Sequence, residues 1–243
     1  ARNITREALM WPGLTPAAKL RVNSARTAHA MLTFVRSDVA IASIPEQYDT
    51  NPNLLGVPNG QIDLETCKYV EAEREAYITK QCSVSPQTKP PALWLDFLSR
   101  VSAGNSDIIN YLQRFAGYAL CGSTQEHALA FLYGTGANGK TTFVQALLGI
   151  MGNYAITAPI ETFAETRTER HSTELARLRG ARFVATEETG TGTRWNEARI
   201  KTLTGGNRIA AHFMRQDDFE FQPEFKLLIA GNHKPSMRSV DEA

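Results

Sequence analysis

One stretch of eight residues carries most of the chemistry that this sequence suggests. Residues 134–141 read Gly-Thr-Gly-Ala-Asn-Gly-Lys-Thr, which fits the spacing G-x-x-x-x-G-K-[ST] of a phosphate-binding loop. In such a loop, backbone N–H groups surround a phosphate at a helix N-terminus, where the helix dipole favours negative charge. Lys140 would reach the β- and γ-phosphates of ATP, and the Thr141 hydroxyl would bind Mg²⁺. The predicted cofactor-binding residues are Gly134, Thr135, Gly136, Ala137, Asn138, Gly139, Lys140, Thr141 and Thr142.

The segments on either side of this loop support the same interpretation. An apolar run at 128–133 predicts a strand before the loop, and the pattern over 140–151 predicts a helix after it. This is the strand–loop–helix context that the motif requires. The alternative, a glycine-rich turn that binds nothing, does not account for both flanks.

A pair of acidic residues follows the predicted strand at 181–186. Glu187 could hold Mg²⁺, and Glu188 could accept a proton from the water that attacks the phosphate. Acidic residues also end many buried strands simply as solvated loop residues, and the pair alone does not exclude this. Its position on the next core strand after the loop favours a second nucleotide motif, so we predict Glu187 as a metal ligand and Glu188 as catalytic.

A third feature is Asn232, which follows the predicted strand 225–230. Parallel strands deliver their last residues to the ligand crevice of an open α/β sheet. An amide at that position could orient the lytic water and sense the γ-phosphate, which makes Asn232 a predicted catalytic residue beside Lys140. The alternative is an asparagine in an ordinary turn near Pro235.

Residues 208–222 alternate like the two strands of a hairpin. If the hairpin pointed into a pore, Arg208, His212 and Arg215 would lie near a DNA phosphate backbone. Spacing alone favours the alternative, a surface hairpin whose charges are solvated. The tip also carries Asp217 and Asp218, which would oppose DNA.

The remaining pattern indicates how these motifs are positioned. Residues 1–122 predict a mainly helical domain with a β-hairpin near 54–80, because Asn59-Gly60 lies between two short apolar segments. We expect a third short strand near 76–79, helices over 92–98 and 108–120, and Ser106-Asp107 as the cap of the second helix. Residues 123–243 alternate strand and helix, which indicates an α/β fold with a parallel sheet flanked by helices.

Composition restricts the class of protein. The chain has 243 residues, 42% of them hydrophobic, and a net charge of +1, so nucleic-acid contacts would come from a local patch. The three cysteines form no C-x-x-C pair, which disfavours a metal cluster or a disulfide framework and fits a reducing cytosol. No signal peptide is evident, and no apolar run reaches the roughly 20 residues of a membrane span. We therefore expect a cytoplasmic protein without a membrane partner.

Four runs in this order resemble the superfamily 3 helicases: GTGANGKTT, FVATEE, KTLTGGNRIAAHF and LLIAGNHKP. The likeness is to the phage and plasmid primase–helicase family related to the poxvirus primase–helicase. The upstream runs NPNLLGVPNGQIDLET, WLDFLSRV and YLQRFAGYALCG resemble the N-terminal domain associated with that family. The resemblance covers roughly residues 25–243.

This resemblance implies an AAA+-like P-loop ATPase that uses ATP and Mg²⁺, assembles as a homo-hexamer and moves along single-stranded DNA. It assigns ATP hydrolysis to Lys140, Thr141, Glu187, Glu188 and Asn232, and DNA contact to the hairpin. Asn207 and His212 depart from the family pattern, which usually has Asp and Arg there. The family's arginine finger normally lies beyond the GNHKP run, so we expect a C-terminally truncated core, with a primase domain upstream in the whole protein.

Two other classes stay open from the sequence. A P-loop kinase would transfer phosphate to a small molecule, although the paired acids and the lack of an arginine-rich lid disfavour it. A non-hydrolysing DNA-binding or assembly module would use the same fold without catalysis. Stimulation of ATP hydrolysis by single-stranded DNA would separate a translocating motor from both.

Overall fold

The computed structural model describes residues 7, 9–40, 42–165, 173–187 and 194–233. By its internal contacts the chain divides into two compact units, Ala1–Gln47 and Tyr48–Ala243. The boundary near residue 122 that the sequence suggests stays a prediction. Among the described residues, no helix has the length and apolar character needed to cross a membrane.

The first unit consists mainly of two helices, as the sequence predicts. Helix α1 spans Pro16–Val22 and helix α2 spans Ala25–Ser37. Each begins at a hydroxyl cap: Thr15 Oγ1 accepts from the Ala18 N–H, and Ser24 Oγ accepts from the Thr27 N–H. These caps satisfy backbone donors that a helix cannot pair internally. Neither helix has a buried residue.

The second unit begins with an antiparallel three-stranded sheet, β1 Leu54–Val57, β2 Gly60–Asp63 and β3 Lys68–Val70. The Asn-Gly hairpin is confirmed, and Asn59 has the positive φ of 70° that such a turn requires. The third strand predicted near 76–79 is wrong. The Asp63 carboxylate accepts hydrogen bonds from the Glu65 N–H and from the Thr66 hydroxyl, so the chain turns back at once into β3.

Two helices follow, α3 Ala92–Val101 and α4 Ser106–Leu120, close to their predicted bounds. The predicted cap of α4 is wrong by one residue. Asn105 is the N-cap, because its Oδ1 accepts from the N–H groups of Asp107 and Ile108. An Asn side chain is among the best N-caps and reaches these two donors from just outside the helix.

The main sheet has four parallel strands, which lie in the order β4 (Leu129–Tyr133), β9 (Lys226–Gly231), β6 (Phe183–Glu187) and β5 (Ala155–Thr157). Helices flank this sheet, which confirms the predicted fold class. The central strand β9 is buried along its whole length, as expected for a parallel strand covered on both faces. The separate β7–β8 hairpin is antiparallel. In chain order these elements are β4 Leu129–Tyr133, α5 Lys140–Met151, β5 Ala155–Thr157, α6 Thr173–Ala176, β6 Phe183–Glu187, α7 Glu197–Thr204, β7 Ile209–Ala211, β8 Phe219–Phe221 and β9 Lys226–Gly231.

Two buried cations hold the starting ends of the central strands. Arg182 donates to the carbonyl oxygens of Leu120 at 2.8 Å and Leu54 at 2.9 Å. Lys226 donates to the carbonyls of Cys121 and Ser123, and burial lowers the pKa of Lys226 to about 8. These bonds hold the segment around β1 and the end of α4 against the amino-terminal ends of the central strands. The predicted site lies at the carboxyl-terminal ends of the same strands.

Candidate nucleotide-binding site

Three of the predicted motifs meet at the carboxyl edge of the parallel sheet. The register pairs Tyr133, the last residue of β4, with Gly231 of β9. It also pairs Ala230 of β9 with Glu187 of β6. The phosphate-loop segment, Asn232 and Glu187 therefore leave three neighbouring strands at the same edge, where open α/β sheets bind ligands.

The conformation of the loop depends on a glycine at its end. Gly139 is the N-cap of α5 and has a φ of 85°, in the left-handed region that favours glycine. A Cβ atom placed there would lie 2.5 Å from Val101 Cγ1 and 3.1 Å from Phe97 Cε2. Helix α3 thus packs directly against the point where the loop becomes the helix.

Lys140, the first residue of α5, is held by four neutral oxygens. Its ammonium donates to the carbonyls of Gly134 at 2.5 Å and Thr135 at 3.2 Å. It also donates to the amide oxygens of Asn138 at 2.9 Å and Asn232 at 3.0 Å. No carboxylate of a described residue pairs with this ammonium. The lysine ammonium therefore lies among uncharged oxygens of described residues, and its contact with Asn232 joins two predicted motifs across 92 residues of sequence.

The loop presents further groups that suit a phosphate. Among the described residues, none accepts a hydrogen bond from the backbone N–H groups of Gly136 or Ala137, which form a turn in the loop. These donors precede the N-terminus of a 12-residue helix, whose dipole favours an anion. The Thr141 and Thr142 side chains, in the first turn of that helix, are exposed. The donor set of this loop fits an anionic phosphate chain.

The predicted metal ligands are present at the same edge but form no closed cage. Glu187 ends β6 and is exposed. Within the parts of the chain that the structure describes, no three His, Cys, Asp or Glu side chains converge in a metal-binding group. Mg²⁺ is commonly bound by one or two protein oxygens together with phosphate oxygens and water, so Thr141 and Glu187 suit that mode. Glu188, the predicted proton acceptor, lies outside the described residues.

A cavity of about 370 Å³ opens beside the loop. Its walls come from the end of α3, from α4, from β4 and from the loop itself, and Val101, Leu112 and Phe131 supply apolar surface. The α3–α4 segment therefore shapes the space next to the loop. No sequence signal indicated this contribution, because α3 precedes the loop by some forty residues and carries no motif of its own.

The β7–β8 hairpin holds its basic residues differently. Arg208 pairs with Glu220 across the hairpin, with Nη1 and Oε2 3.6 Å apart. His212 Nδ1 lies 2.9 Å from Asp218 Oδ1. Arg215 is exposed and has a positive φ of 62° between the two strands. Two of the three predicted DNA contacts are thus paired with acids of the same hairpin, and DNA contact stays a prediction.

Comparisons with known families cover both parts of the chain. A family described as "D5 N terminal like" matches residues 14–103. A second, described as "Family of unknown function (DUF5906)", matches residues 132–243. The first match spans both helices of the first unit and ends just after α3, and the second contains the whole loop.

Curated relatives are viral proteins of low identity. "Putative helicase L207/L206" of Acanthamoeba polyphaga mimivirus is 26% identical over 80% of this chain and 21% of its own length. "Putative primase C962R" of African swine fever virus is 26% identical over 82% of this chain and 22% of its own. "Putative helicase 184R" of Invertebrate iridescent virus 6 is 23% identical over 88% of this chain and 23% of its own length. The chain spans about a fifth of the length of these relatives.

Solved structures share the fold. One apo structure of the NrS-1 C-terminal region matches 86% of this chain and 48% of its own, at 11% identity and a TM-score of 0.53. A second apo structure of that region, comprising residues 305–718 in its own numbering, matches 88% of this chain and 51% of its own at 12% identity, with the same TM-score. At this identity the likeness shows the fold, while the family matches and the viral relatives show that the chain is similar to viral proteins with helicase and primase names.

Proposed function

We propose that this chain is the ATP-hydrolysing part of a DNA helicase in a phage, prophage or plasmid replication system, which translocates on single-stranded DNA. The observation that carries the proposal is the position of Lys140. Its charge is held by neutral oxygens of the loop and Asn232, next to free amide donors at a helix N-terminus. A polyphosphate is the anion that such a donor arrangement best accommodates.

Binding would begin with the triphosphate of ATP replacing some of the oxygens that now hold Lys140. The ammonium would then contact the β- and γ-phosphates, while the loop N–H groups surround the chain of phosphates. The loop N–H groups belong to the backbone before the helix, so they would stabilise the phosphate charge with little rearrangement of their own, while Lys140 exchanges hydrogen-bond partners. This preorganisation is the main catalytic contribution that we assign to the loop.

Bound Mg²⁺ would neutralise charge on the β- and γ-phosphate oxygens. In this chain the Thr141 hydroxyl and the Glu187 carboxylate would hold it, the latter directly or through water. Glu188 would accept a proton from the attacking water, and Asn232 would orient that water. An arginine from a neighbouring copy of the chain would complete the site, which would require the homo-hexamer that the family resemblance implies.

Two parts of the proposal, the contact with DNA and the presence of a primase domain in the whole protein, are based on the names of the relatives. The geometry of the nucleotide site does not bear on them. The viral relatives carry helicase and primase names, and this chain corresponds to about a fifth of each. We therefore propose a primase domain upstream in the whole protein and assign single-stranded DNA contact to the β7–β8 hairpin. Arg215 is the residue there whose charge is most available, since Arg208 and His212 are paired with acids.

The proposal is tested by ATP hydrolysis with and without single-stranded DNA, in a chain extended beyond Ala243. We expect hydrolysis that requires Mg²⁺ and is stimulated by DNA, and its loss in Lys140→Ala but not in the matched surface variant Lys89→Ala. Glu188→Gln should keep ATP binding and lose hydrolysis. If Lys140→Ala hydrolysed ATP at the wild-type rate, the proposal would be wrong. Transfer of phosphate to a small acceptor would favour a kinase, and DNA binding without any hydrolysis would favour an assembly module.

A further inference from the structure

The first unit has a charge distribution unlike that of the rest of the chain. Between Ala8 and Ser37 the sequence has no Asp or Glu and has four basic residues, namely Lys19, Arg21, Arg26 and Arg36. The other residues carry 22 basic and 25 acidic side chains. The net charge of the whole chain is therefore small, although the segment that contains helices α1 and α2 is basic. Blocks of one sign suggest an interaction with a partner of opposite sign.

The basic residues of α2 lie on one exposed face. Arg26, His29, Thr33 and Arg36 follow the spacing i, i+3, i+7, i+10, which places them along one side of a helix. All four are exposed, whereas Ala28 and Met31 on the opposite face are half-buried. We call these four residues the basic stripe. At 1.5 Å per residue, it extends about 15 Å from Arg26 to Arg36.

A second helix adds another guanidinium at the start of the stripe. Arg21 of α1 and Arg26 of α2 line the same groove, which also contains Leu20 and Ser24. Hydrogen bonds hold the turn between the helices: Thr27 Oγ1 donates to the Arg21 carbonyl at 2.6 Å, and Ser24 Oγ accepts from the Thr27 N–H at 3.2 Å. The backbone positions of the two arginines are thus fixed relative to each other.

The cations of this unit have no acidic partners among the residues that the structure describes. This distinguishes them from Arg208 and His212 of the β7–β8 hairpin, which are paired with carboxylates. Unpaired guanidinium groups present several N–H donors in a plane, which matches the oxygens of a phosphate. A stretch of about 15 Å is long enough to face more than one phosphate of a strand.

We propose that the basic stripe and Arg21 form a second nucleic-acid site, which binds the phosphate backbone of a DNA strand independently of ATP. Its guanidinium groups suit the phosphates of a polyanion, while the exposed apolar side chains of α2, Leu32, Phe34 and Val35, lie outside the stripe, so the test includes lipid vesicles. Contacts to phosphate carry no sequence information, so this site would position the strand rather than read its bases. The site uses residues other than those of the phosphate loop and of the β7–β8 hairpin.

The test compares variants of the full chain by fluorescence anisotropy with a labelled 20-nucleotide single strand, without nucleotide. Arg21→Ala/Arg26→Ala/Arg36→Ala should weaken binding about tenfold or more. It should also lower the slope of log K against log salt concentration by about 2, since each single-strand phosphate contact contributes about 0.7. The matched control, Lys68→Ala/Arg74→Ala/Lys89→Ala, removes the same charge from exposed positions in the second unit and should change binding much less.

Two further variants keep the outcome interpretable. Arg21→Lys/Arg26→Lys/Arg36→Lys retains the charge and should retain most of the affinity and the slope, which excludes a folding defect as the cause. Because the measurement is made without nucleotide, failure of the ATP site would not affect the result. Equal losses in the alanine variant and its control would overturn the proposal. Loss confined to Arg208→Ala/Arg215→Ala, or tighter binding to phosphatidylserine vesicles than to DNA, would also overturn it.

Discussion

The phosphate loop and the β7–β8 hairpin both carry basic residues predicted to meet phosphates, and they hold them in opposite ways. Lys140 contacts only neutral oxygens among the described residues, from the loop and from Asn232. Arg208 and His212 each face a carboxylate on the partner strand. The loop ammonium therefore has no carboxylate of a described residue beside it, whereas Arg208 and His212 of the hairpin do.

This difference shows that a basic residue in the right motif is not enough to define a phosphate contact. A phosphate that approaches Lys140 replaces neutral acceptors and adds a charge interaction. A phosphate that approaches Arg208 must first compete with Glu220. Exposed ion pairs are worth only about 0–1 kcal/mol, so this competition is weak and can be altered by substitution. The four predictions below test the contrast, from the largest expected effect to the smallest.

Removing the loop cation should have the largest effect. Lys140→Ala deletes the charge that the neutral oxygens leave available, and we expect hydrolysis to fall by about 10²–10³ or more, the range found when one preorganised charge-stabilising donor is lost. Steady-state release of phosphate measures this. Lys140→Arg keeps the charge but not the compact ammonium, and should recover little. Full activity in Lys140→Ala would show that the loop charge is not used.

Removing the Asn232 amide oxygen, which accepts a hydrogen bond from Lys140, should have an intermediate effect on ATP hydrolysis. Asn232→Ala deletes a hydrogen bond to a charged group, worth about 1.5–3 kcal/mol, or roughly ten- to a hundredfold in rate. We expect hydrolysis to fall in that range while ATP binding changes less, which equilibrium binding and turnover measured on the same sample would separate. An equal change in His233→Ala, at the next exposed position, would contradict a specific role for Asn232.

Replacing the glycine at the end of the loop should affect stability and nucleotide binding by distorting the backbone. Gly139→Ala places a Cβ atom 2.5 Å from Val101 Cγ1 at a φ of 85°, which should destabilise the unit by about 1–3 kcal/mol and weaken nucleotide binding. Denaturant unfolding gives the first value and nucleotide titration the second. Gly104→Ala is the matched control, because Gly104 has a similar φ of 73° and no atom lies within 4 Å of its Cβ position. Similar effects at both glycines would show that the contact with α3 is unimportant.

Releasing the hairpin cations should have the smallest effect, and in the opposite direction. Asp218→Asn/Glu220→Gln removes the partners of His212 and Arg208, and we expect affinity for single-stranded DNA to rise about two- to fivefold, in keeping with exposed ion pairs of 0.2–1 kcal/mol. Anisotropy at low salt measures this. Glu73→Gln/Glu75→Gln makes the same change in net charge outside the hairpin, and an equal gain there would argue against hairpin contact.

The fold and the site differ in how far the sequence predicts them. Strands β4, β6 and β9 and helix α5 were predicted within about two residues, because long apolar runs and a glycine-rich turn are strong local signals. The third strand of the small sheet was predicted in the wrong place. That strand depends on how one carboxylate, Asp63, caps a turn, and such capping is not visible in hydrophobic periodicity.

The sequence by itself determined that a phosphate-loop segment joins a strand to a helix and that acids and an amide follow two further strands. Only the tertiary structure decided that β9 lies beside β4, which brings Asn232 to 3.0 Å from Lys140, and that α3 closes on Gly139. The tertiary structure also determined which basic side chains lie beside carboxylates. Local patterns fix backbone conformation, whereas strand order and charge pairing depend on contacts between residues far apart in the chain, which no short sequence pattern encodes.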